Sequence, residues 1–315
     1  MPHIIKSPQD LVTSREQTRA GFIAFALEKN RRSTPIIENA KSFKVLASKA
    51  KTAKDLLKII EIQPALLTAA GLSDKAVNYF NEDDKKKAIL GLIENFLEPA
   101  GKYFVDEVVY RYLLIKGDTL GGTMRNLVGA IAQQKLVRTL LSNLSVSGTD
   151  YQWLGNKVKI WDEKPNNDFA IEEQLKALSW KNAKGKSRVL AFNLNVPIVI
   201  SKIDICLFNA DTETYNNGVI VNTPEKILML GELKGGIDPA GADEHWKTGN
   251  TALNRIRASF AKHNLNIETS FVAAAIEKKM ASEIFAQLQN KTLSNAANLT
   301  IDEQLVSYCD WLLKL

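Results

Sequence analysis

The order of helix-like and strand-like segments constrains the fold of this chain more than any other feature of its sequence. From residue 14 to about residue 140, apolar residues recur at spacings of three and four, as in AKDLLKIIEIQ and FVDEVVYRYLLIKG, and this period predicts helices. From about residue 150, segments rich in Val, Ile, Leu and aromatic residues alternate with turn residues, which predicts strands. We therefore expect a helical region followed by an α/β region.

The second region contains three predicted strand segments, YQWLGNKVKIWDE, SRVLAFNLNVPIVISKIDICLFNAD and EKILMLGELKG. A helix is expected from about Ala242 to His263, because its apolar residues form one stripe: Trp246, Leu253, Ile256 and Phe260. The strand-like SFVAAAI and two C-terminal helices follow. This change of pattern divides the chain into a mostly helical domain, 1–115, and an α/β domain, 116–315.

Composition narrows the class of protein and its cellular setting. The net charge of +6 at pH 7 favours an anionic partner. Cys206 and Cys309 lack metal-site spacing, and the chain has only three histidines, so a zinc site is not expected and the two thiols suit a reducing cytoplasm. No signal peptide is recognisable and no apolar run approaches the ~18 residues of a membrane span. We expect a cytoplasmic protein without a membrane partner.

Three charged residues interrupt two of the apolar strand segments. Glu232 and Lys234 end KILMLGELK, and because side chains alternate along a strand, both point to one face while Leu233 points to the other. Asp204 interrupts PIVISKIDICLFNAD. Unpaired charges inside a sheet that is covered on both faces cost several kcal/mol. If the two strands are antiparallel neighbours, the three charges lie together.

Two carboxylates and an ammonium in one cleft suit a divalent cation. Mg²⁺ prefers oxygen ligands and is held by one or two carboxylates together with substrate phosphate oxygens, so Asp204 and Glu232 are the expected metal ligands. Such a site favours phosphodiester hydrolysis, in which Lys234 would orient the attacking water or assist the transition state. The alternative is a frayed strand end at Glu232 and Lys234, with Asp204 as a satisfied core carboxylate.

Asp204, Glu232 and Lys234 resemble the PD-(D/E)XK nuclease motif. The proline of that motif is missing directly before Asp204, and the nearest proline is Pro197. The segments GELKGGIDPAGADEHWKTGN and GDTLGGTMRNLVGAIAQQKL resemble type II restriction endonucleases of the AvaI/BsoBI family, and the resemblance covers the whole chain. It implies an α/β fold, in which helices flank a restriction-endonuclease-like mixed sheet and an additional, mostly helical domain embraces the DNA. It also implies a Mg²⁺-dependent homodimer that cuts the palindrome CYCGRG after the first C and leaves 5′ overhangs.

Three residues outside the motif are further candidates for the site. His245 lies near the start of the predicted helix, where a neutral imidazole could take a proton from water. The resemblance implies an active-site histidine there, with Lys234 as its rival for this role. Asp238 either caps the turn that follows it or accepts a hydrogen bond from cytosine N4. Lys75 falls in the first turn of a helix capped by Ser73, from which it could contact a base edge.

The glycine-rich segment GDTLGGTMRNLVGAIAQQKL lacks the Gly-Lys-Ser/Thr of a phosphate-binding P-loop, so no nucleotide cofactor is expected. Its glycines Gly121, Gly122 and Gly129 are expected to let a helix pack closely on the sheet. Arg125 and Asn126 could contact phosphate.

The leading prediction is a site-specific endonuclease that acts on double-stranded DNA. One alternative is a structure-specific repair or resolvase nuclease of the same superfamily. The other is a non-catalytic DNA-binding regulator, although a regulator has no reason to bury the three charges of the motif together.

Overall fold

The structure is a computed structural model that describes residues 4–156, 158–216 and 218–315, apart from the side chain of Arg125. The predicted phosphate contact of Arg125 therefore lies outside the described residues. The described residues form ten α-helices: α1 Arg15–Ala47, α2 Gln63–Ala69, α3 Asp74–Val77, α4 Glu82–Leu92, α5 Phe104–Val146, α6 Ile171–Gln174, α7 Thr212–Asn216, α8 Pro239–Ala261, α9 Lys278–Gln289 and α10 Asp302–Lys314. They also form eight strands: β1 Tyr151–Gly155, β2 Asp162–Glu163, β3 Leu175–Lys181, β4 Ser187–Val196, β5 Ser201–Phe208, β6 Ile227–Lys234, β7 Glu268–Ala273 and β8 Asn295–Asn298.

Contacts between residues divide the chain into two compact units. The sheet unit comprises the residues before Ile23 together with Leu127–Leu315, and the helical unit comprises Ile23–Asn126. The predicted boundary at 115/116 falls inside α5, whereas the contacts divide the chain at 22/23 and 126/127.

The N-terminal segment belongs to the sheet unit because long-range hydrogen bonds hold it there. The backbone N–H of Thr13 donates to the carbonyl of Ile276 over 3.0 Å. The buried amide of Asn298 donates to the carbonyl of Leu11 over 2.9 Å and to Oγ1 of Thr13 over 2.8 Å. Local periodicity in the sequence does not predict these long-range hydrogen bonds.

One mixed sheet with the order β2-β1-β3-β4-β5-β6-β7-β8 forms the centre of the sheet unit. Neighbouring strands from β2 to β6 are antiparallel, while β7 and β8 continue the sheet in parallel. Helices α8 and α9 cover one face, and the last turns of α5 together with α10 cover the other. The predicted mixed sheet flanked by helices is confirmed.

Strand β6 is apolar because it is covered on both faces. Leu230 packs in the layer beneath α8, and its neighbour Met229 packs in the layer beneath α5 and α10. Alternation along a strand requires this division. The predicted stripe of α8 is buried in the first of these layers: Trp246, Leu253, Ile256 and Phe260.

Two strands, β3 and β8, were not predicted from the sequence. The segment of β8 reads NAAN and has no β-branched or aromatic residue, so its composition does not favour a strand. It forms because it pairs in parallel with β7, where Phe271 lies opposite Ala296, and because all four of its residues are buried. Tertiary packing decides the conformation here, not local propensity.

The helical unit has its own hydrophobic core, to which α1, α2, α4 and α5 contribute Phe43, Leu66, Leu92 and Val108. The mostly helical character predicted for this part of the chain is confirmed. At the start of α1, Ser14 and Gln17 form a capping box, since Ser14 N–H donates to Gln17 Oε1 over 2.7 Å and Gln17 N–H donates to Ser14 Oγ over 3.2 Å. No helix in the described ranges is long and apolar enough to cross a membrane.

Candidate active site

The antiparallel pairing of β5 and β6 brings the three motif residues together. Ile205 lies opposite Gly231, so the next position on each strand carries Asp204 and Glu232. The ammonium of Lys234 lies 2.6 Å from Oε2 of Glu232 and 3.2 Å from Oδ2 of Asp204. The two carboxylates thus share one cation on the face of the sheet that α8 covers.

Burial differs across this cluster. The side chain of Glu232 is 6% exposed, whereas those of Lys234 and Asp204 are 23% and 28% exposed. Oδ2 of Asp204 also accepts the backbone N–H of Leu233 over 2.9 Å, which fixes the carboxylate against the end of β6. A substrate would therefore approach from the side of Asp204 and Lys234, with Glu232 at the back of the site.

The electrostatics of the cluster favour a charged lysine and penalise a charged glutamate. Burial raises the pKa of Glu232, the nearby carboxylate of Asp204 raises it further, and Lys234 only partly opposes this. Burial alone would lower the pKa of Lys234, but Glu232 and Asp204 outweigh it and raise that pKa above its ordinary value. Lys234 therefore holds its proton at neutral pH and is poorly suited to accept one from water.

The donor set fits a hard divalent cation. Two carboxylates that repel each other in a partly buried cleft gain from a cation between them, and Mg²⁺ accepts one or two carboxylates when water and phosphate oxygens fill its other positions. Within the described ranges, no group of three or more His, Cys, Asp and Glu side chains is placed to hold a metal. Asp204 and Glu232 are thus the two side chains of this cluster available to it.

His245 lies beside the loop that follows β6. A Cβ added at Gly236, two residues after Lys234, would come within 2.5 Å of Cε1 of His245. Its Nδ1 is buried and has no hydrogen-bond partner among the described residues. This leaves Nε2 as the ring nitrogen that can meet water.

Two contacts of Trp246 fix α8, and with it His245, against strand β7 and helix α9. The indole of Trp246 stacks edge-on against Phe271 with 5.0 Å between ring centroids, and its Nε1 donates to Glu283 over 2.6 Å. At Gly249 an added Cβ would lie 2.6 Å from the ring of Phe271, so the helix approaches β7 closely there. The imidazole is thus carried by a rigid element.

Helix α8 begins at Pro239, earlier than the predicted start near Ala242, so His245 lies in the second turn. The reason is Asp238, whose Oδ1 accepts the N–H of Ala240 over 3.0 Å at the N-cap, with proline at the first helical position. The capping alternative for Asp238 is therefore realised in the fold. Its side chain remains exposed.

Two glycines near the site are required by close approaches of neighbouring groups. A Cβ at Gly235 would overlap the carbonyl oxygen of Val128 in α5 and lie 2.8 Å from Cβ of Ala132. Gly235 and Gly236 thus make room for α5 and for His245. In contrast, a Cβ at Gly121 or Gly129 would meet nothing within 4 Å, so the predicted close packing at those two glycines was wrong.

Lys75 belongs to the helical unit, where it is exposed on α3. Ser73 caps this helix as predicted, since its Oγ accepts the N–H of Ala76 over 3.2 Å. Asn193 lies on β4 opposite the position of Asp204 and has a φ of 58°. Its amide donates to Oε1 of Gln133 in α5 over 2.8 Å, so this side chain lies on the other face of the sheet from the three charges.

The mixed sheet, with Asp204 on one strand and Glu232 and Lys234 at the end of its antiparallel neighbour, has the arrangement expected of a PD-(D/E)XK nuclease. The family described as "Restriction endonuclease BsobI" matches residues 2–315. The chain belongs to this family. It is a type II restriction endonuclease and therefore acts on double-stranded DNA.

The relatives cover nearly the whole chain. The chain is 55% identical to the type II restriction enzyme BsoBI of Geobacillus stearothermophilus, over 99% of this chain and 97% of that protein. It is 51% identical to the type II restriction enzyme AvaI of Nostoc sp. and of Anabaena variabilis, over 99% of this chain and 98% of each relative. These relatives support a restriction enzyme rather than a resolvase or a non-catalytic regulator.

Proposed function

We propose that this protein is a Mg²⁺-dependent homodimeric endonuclease that cuts both strands of CYCGRG after the first C and leaves 5′ overhangs. The observation that carries the chemistry is the cluster of Asp204, Glu232 and Lys234 on two paired strands. Enzymes of this type generally use a divalent metal ion. The sequence cut by this chain is an expectation from its resemblance to the AvaI/BsoBI family.

Asp204 and Glu232 would hold the metal ion. When bound, Mg²⁺ stabilises negative charge on the scissile phosphate and makes a bound water more acidic. Glu232 needs such a cation most, because its burial penalises the ionised form. The hydrogen bond from Leu233 to Asp204 keeps the second carboxylate aimed at the same point.

We assign different roles to Lys234 and His245. Lys234 keeps its proton, because its carboxylate neighbours raise its pKa, and its ammonium stabilises charge that develops on the phosphate. His245 accepts the proton of the attacking water at Nε2, since Nδ1 is enclosed. In this proposal the imidazole of His245 is the general base, and the ammonium of Lys234 is not.

Asp238 and Lys75 are proposed DNA contacts. Oδ1 of Asp238 caps α8, while the exposed carboxylate can still accept a hydrogen bond from cytosine N4. Lys75 is exposed in the first turn of α3 and is proposed to donate to a base edge.

The role of Asp238 can be separated from its cap by comparing two variants. Asp238→Ser keeps an N-cap oxygen but removes the carboxylate, whereas Asp238→Ala removes both. Both variants should lose cleavage at CYCGRG more than at near-cognate sites, by about tenfold for a contact worth ~1–3 kcal/mol of discrimination. Equal loss at every site, or full specificity in Asp238→Ser, would make Asp238 a helix cap only.

The homodimer follows from the palindrome, because two identical subunits read two identical half-sites. We place the activity in the cytoplasm, where Cys206 and Cys309 stay reduced. Both are buried free thiols in the structure.

Digestion of a plasmid that contains CYCGRG sites tests the proposed function. With Mg²⁺, the purified protein should give discrete fragments whose ends map after the first C of each site. Cleavage at every sequence, or at branched DNA alone, would contradict it. A companion plasmid in which all such sites are destroyed is the control and should remain intact.

A further inference from the structure

Helix α8 carries an arginine that the chemistry described above does not use. Arg255 is exposed at one end of a groove of 300 Å³ that is lined by Glu244, Lys247, Thr248, Thr251, Ala252 and Arg255. This groove lies along the solvent side of the helix that carries His245.

Arg255 is fixed to the strand that carries Asp204. Its Nη2 donates to Oγ of Ser201 over 2.7 Å, and Ser201 is the first residue of β5, three positions before Asp204. The contact therefore holds the guanidinium at the edge of the active site instead of leaving it free in solvent.

The charge of Arg255 reaches the acidic cluster. Burial raises the pKa of Glu232, and Arg255 is one of the cations that oppose this rise. Arg255 and His245 also lie within a quarter turn of each other around α8, ten residues and about 15 Å apart along the axis. Arg255 thus acts on the carboxylate of Glu232 from the same helix that carries His245.

Most donors of this guanidinium remain open. Arginine has five N–H donors, and Ser201 is the one hydrogen-bond partner of Arg255 within the part of the chain that the structure describes. The neighbouring cation Lys247, in contrast, is paired with Asp243. Glu244, the one carboxylate of the groove, lies eleven residues along the helix, about 16 Å away.

We propose that Arg255, held by Ser201, binds a phosphate of the DNA backbone that flanks the scissile phosphate. The planar fork of a guanidinium matches two phosphate oxygens, and such contacts fix the register of a duplex on a protein. The inference rests on the proposed nuclease function, because the DNA must cross the cleft of Asp204, Glu232 and Lys234. Arg255 is a DNA-binding residue in this account, and Ser201 positions it.

The test measures the binding of a cognate duplex in Ca²⁺, which allows binding without turnover, over a range of salt concentrations. Arg255→Gln should weaken binding about tenfold or more and flatten the dependence of log K on log salt by about one ion per subunit. Lys314→Gln removes the same charge from α10 on the other face of the sheet and should change neither quantity. Melting temperatures of both variants check that the fold is retained.

Duplexes with one neutral methylphosphonate at successive positions locate the contact. One position next to the scissile phosphate should weaken the wild type but have no further effect on Arg255→Gln. Ser201→Ala should weaken the wild type less than Arg255→Gln does, and should add nothing in the Arg255→Gln background.

Two outcomes separate failure of this inference from failure of the proposed function. If the wild type cuts the unmodified duplex and Arg255→Gln keeps wild-type affinity and salt dependence, the phosphate contact is wrong while the nuclease function stands. If the loss of affinity caused by Arg255→Gln adds to the loss caused by the methylphosphonate at every position, Arg255 does not bind the flanking phosphate. A wild type that fails to cut in Mg²⁺ would contradict the nuclease function itself.

Discussion

Glu232 is the residue at which the proposed metal site affects the pH dependence of stability. Burial raises the pKa of its carboxyl in the folded chain, so the folded state binds this proton more tightly than the unfolded state does. The resulting stability is fully present below the ordinary pKa of glutamate and is lost as pH rises through the raised value. In the absence of metal, ionisation of Glu232 therefore lowers the stability of the fold at neutral pH, while the raised pKa of Lys234 reflects an ion pair that opposes this loss.

Glu232→Gln should remove this loss. We expect the metal-free variant to be more stable than the wild type at pH 7, and the difference to shrink towards pH 4, where both side chains are neutral. Urea unfolding in EDTA at several pH values measures this difference in the free energy of unfolding. Added Ca²⁺ should raise the melting temperature of the wild type but not that of the variant. A variant less stable than the wild type at pH 7 would mean that the ion pair with Lys234 outweighs burial.

Gly236 offers a test of His245 that leaves the imidazole in place. In Gly236→Ala the new Cβ would lie 2.5 Å from Cε1 of His245, so the ring must move. Loss of a positioned general base should lower single-turnover cleavage about 100-fold while binding in Ca²⁺ is retained. Gly241→Ala is the matched control, because its Cβ would make an ordinary contact of 3.7 Å with the same atom. Equal activity in the two variants would remove His245 from the mechanism.

At the scale of elements, strands β5 and β6 could be predicted because they are apolar runs. Asp204, Glu232 and Lys234 could be selected as candidates because a charge inside such a run costs free energy unless it is compensated. The start of α8 could be read in part, since Asp238 and Pro239 are ordinary helix-start residues. The need for glycine at positions 235 and 236 could not be predicted, because it depends on how closely α5 and His245 approach in three dimensions. Strand β8 could not be predicted either, because its sequence NAAN becomes a strand only beside β7.

Helix α5 provides a prediction on its exposed glycine. Gly129→Ala adds a Cβ that meets nothing within 4 Å, so it should stabilise the protein by about 0.5–1 kcal/mol through helix propensity. Urea unfolding measures the gain, with Gly235→Ala, which would overlap the backbone of α5, as the destabilising counterpart. If Gly129→Ala is more stable yet binds DNA poorly, a partner covers this face of the helix. A loss of stability would contradict the open space around it.

The N-terminal segment and β8 form one structural element through Asn298. Its buried amide donates to the carbonyl of Leu11 and to Oγ1 of Thr13, so Asn298→Ala leaves the carbonyl of Leu11 without its donor and removes one of the two donors to Thr13, the other being the N–H of Ile276. We expect this to cost about 1–3 kcal/mol in urea unfolding and to expose the segment before Arg15 to protease. A change within ±0.5 kcal/mol, the usual range for surface sites, would show that the segment is not held by these bonds.

At the scale of the whole molecule, a homodimer is the prediction with most consequence. Several large apolar side chains of the helical unit are exposed, among them Ile23 at 59%, Leu27 at 66% and Leu114 at 72%. Ile23 and Leu27 lie one turn apart on α1, which makes these two neighbouring apolar side chains candidates for a contact between subunits. Sedimentation on a cognate duplex should give two 35.0 kDa chains per duplex, and each encounter should cut both strands. One chain per duplex would contradict the symmetric account.

The central claim is that Asp204, Glu232 and Lys234 form the active site of a metal-dependent nuclease. Asp204→Asn tests it most directly, because the amide keeps an oxygen that can accept the N–H of Leu233 but loses the charge that would hold the metal. We predict that the variant binds the cognate duplex in Ca²⁺ as tightly as the wild type and cuts it in Mg²⁺ at least about 1000-fold more slowly. Single-turnover cleavage by Asp204→Asn at a rate near that of the wild type would contradict the account.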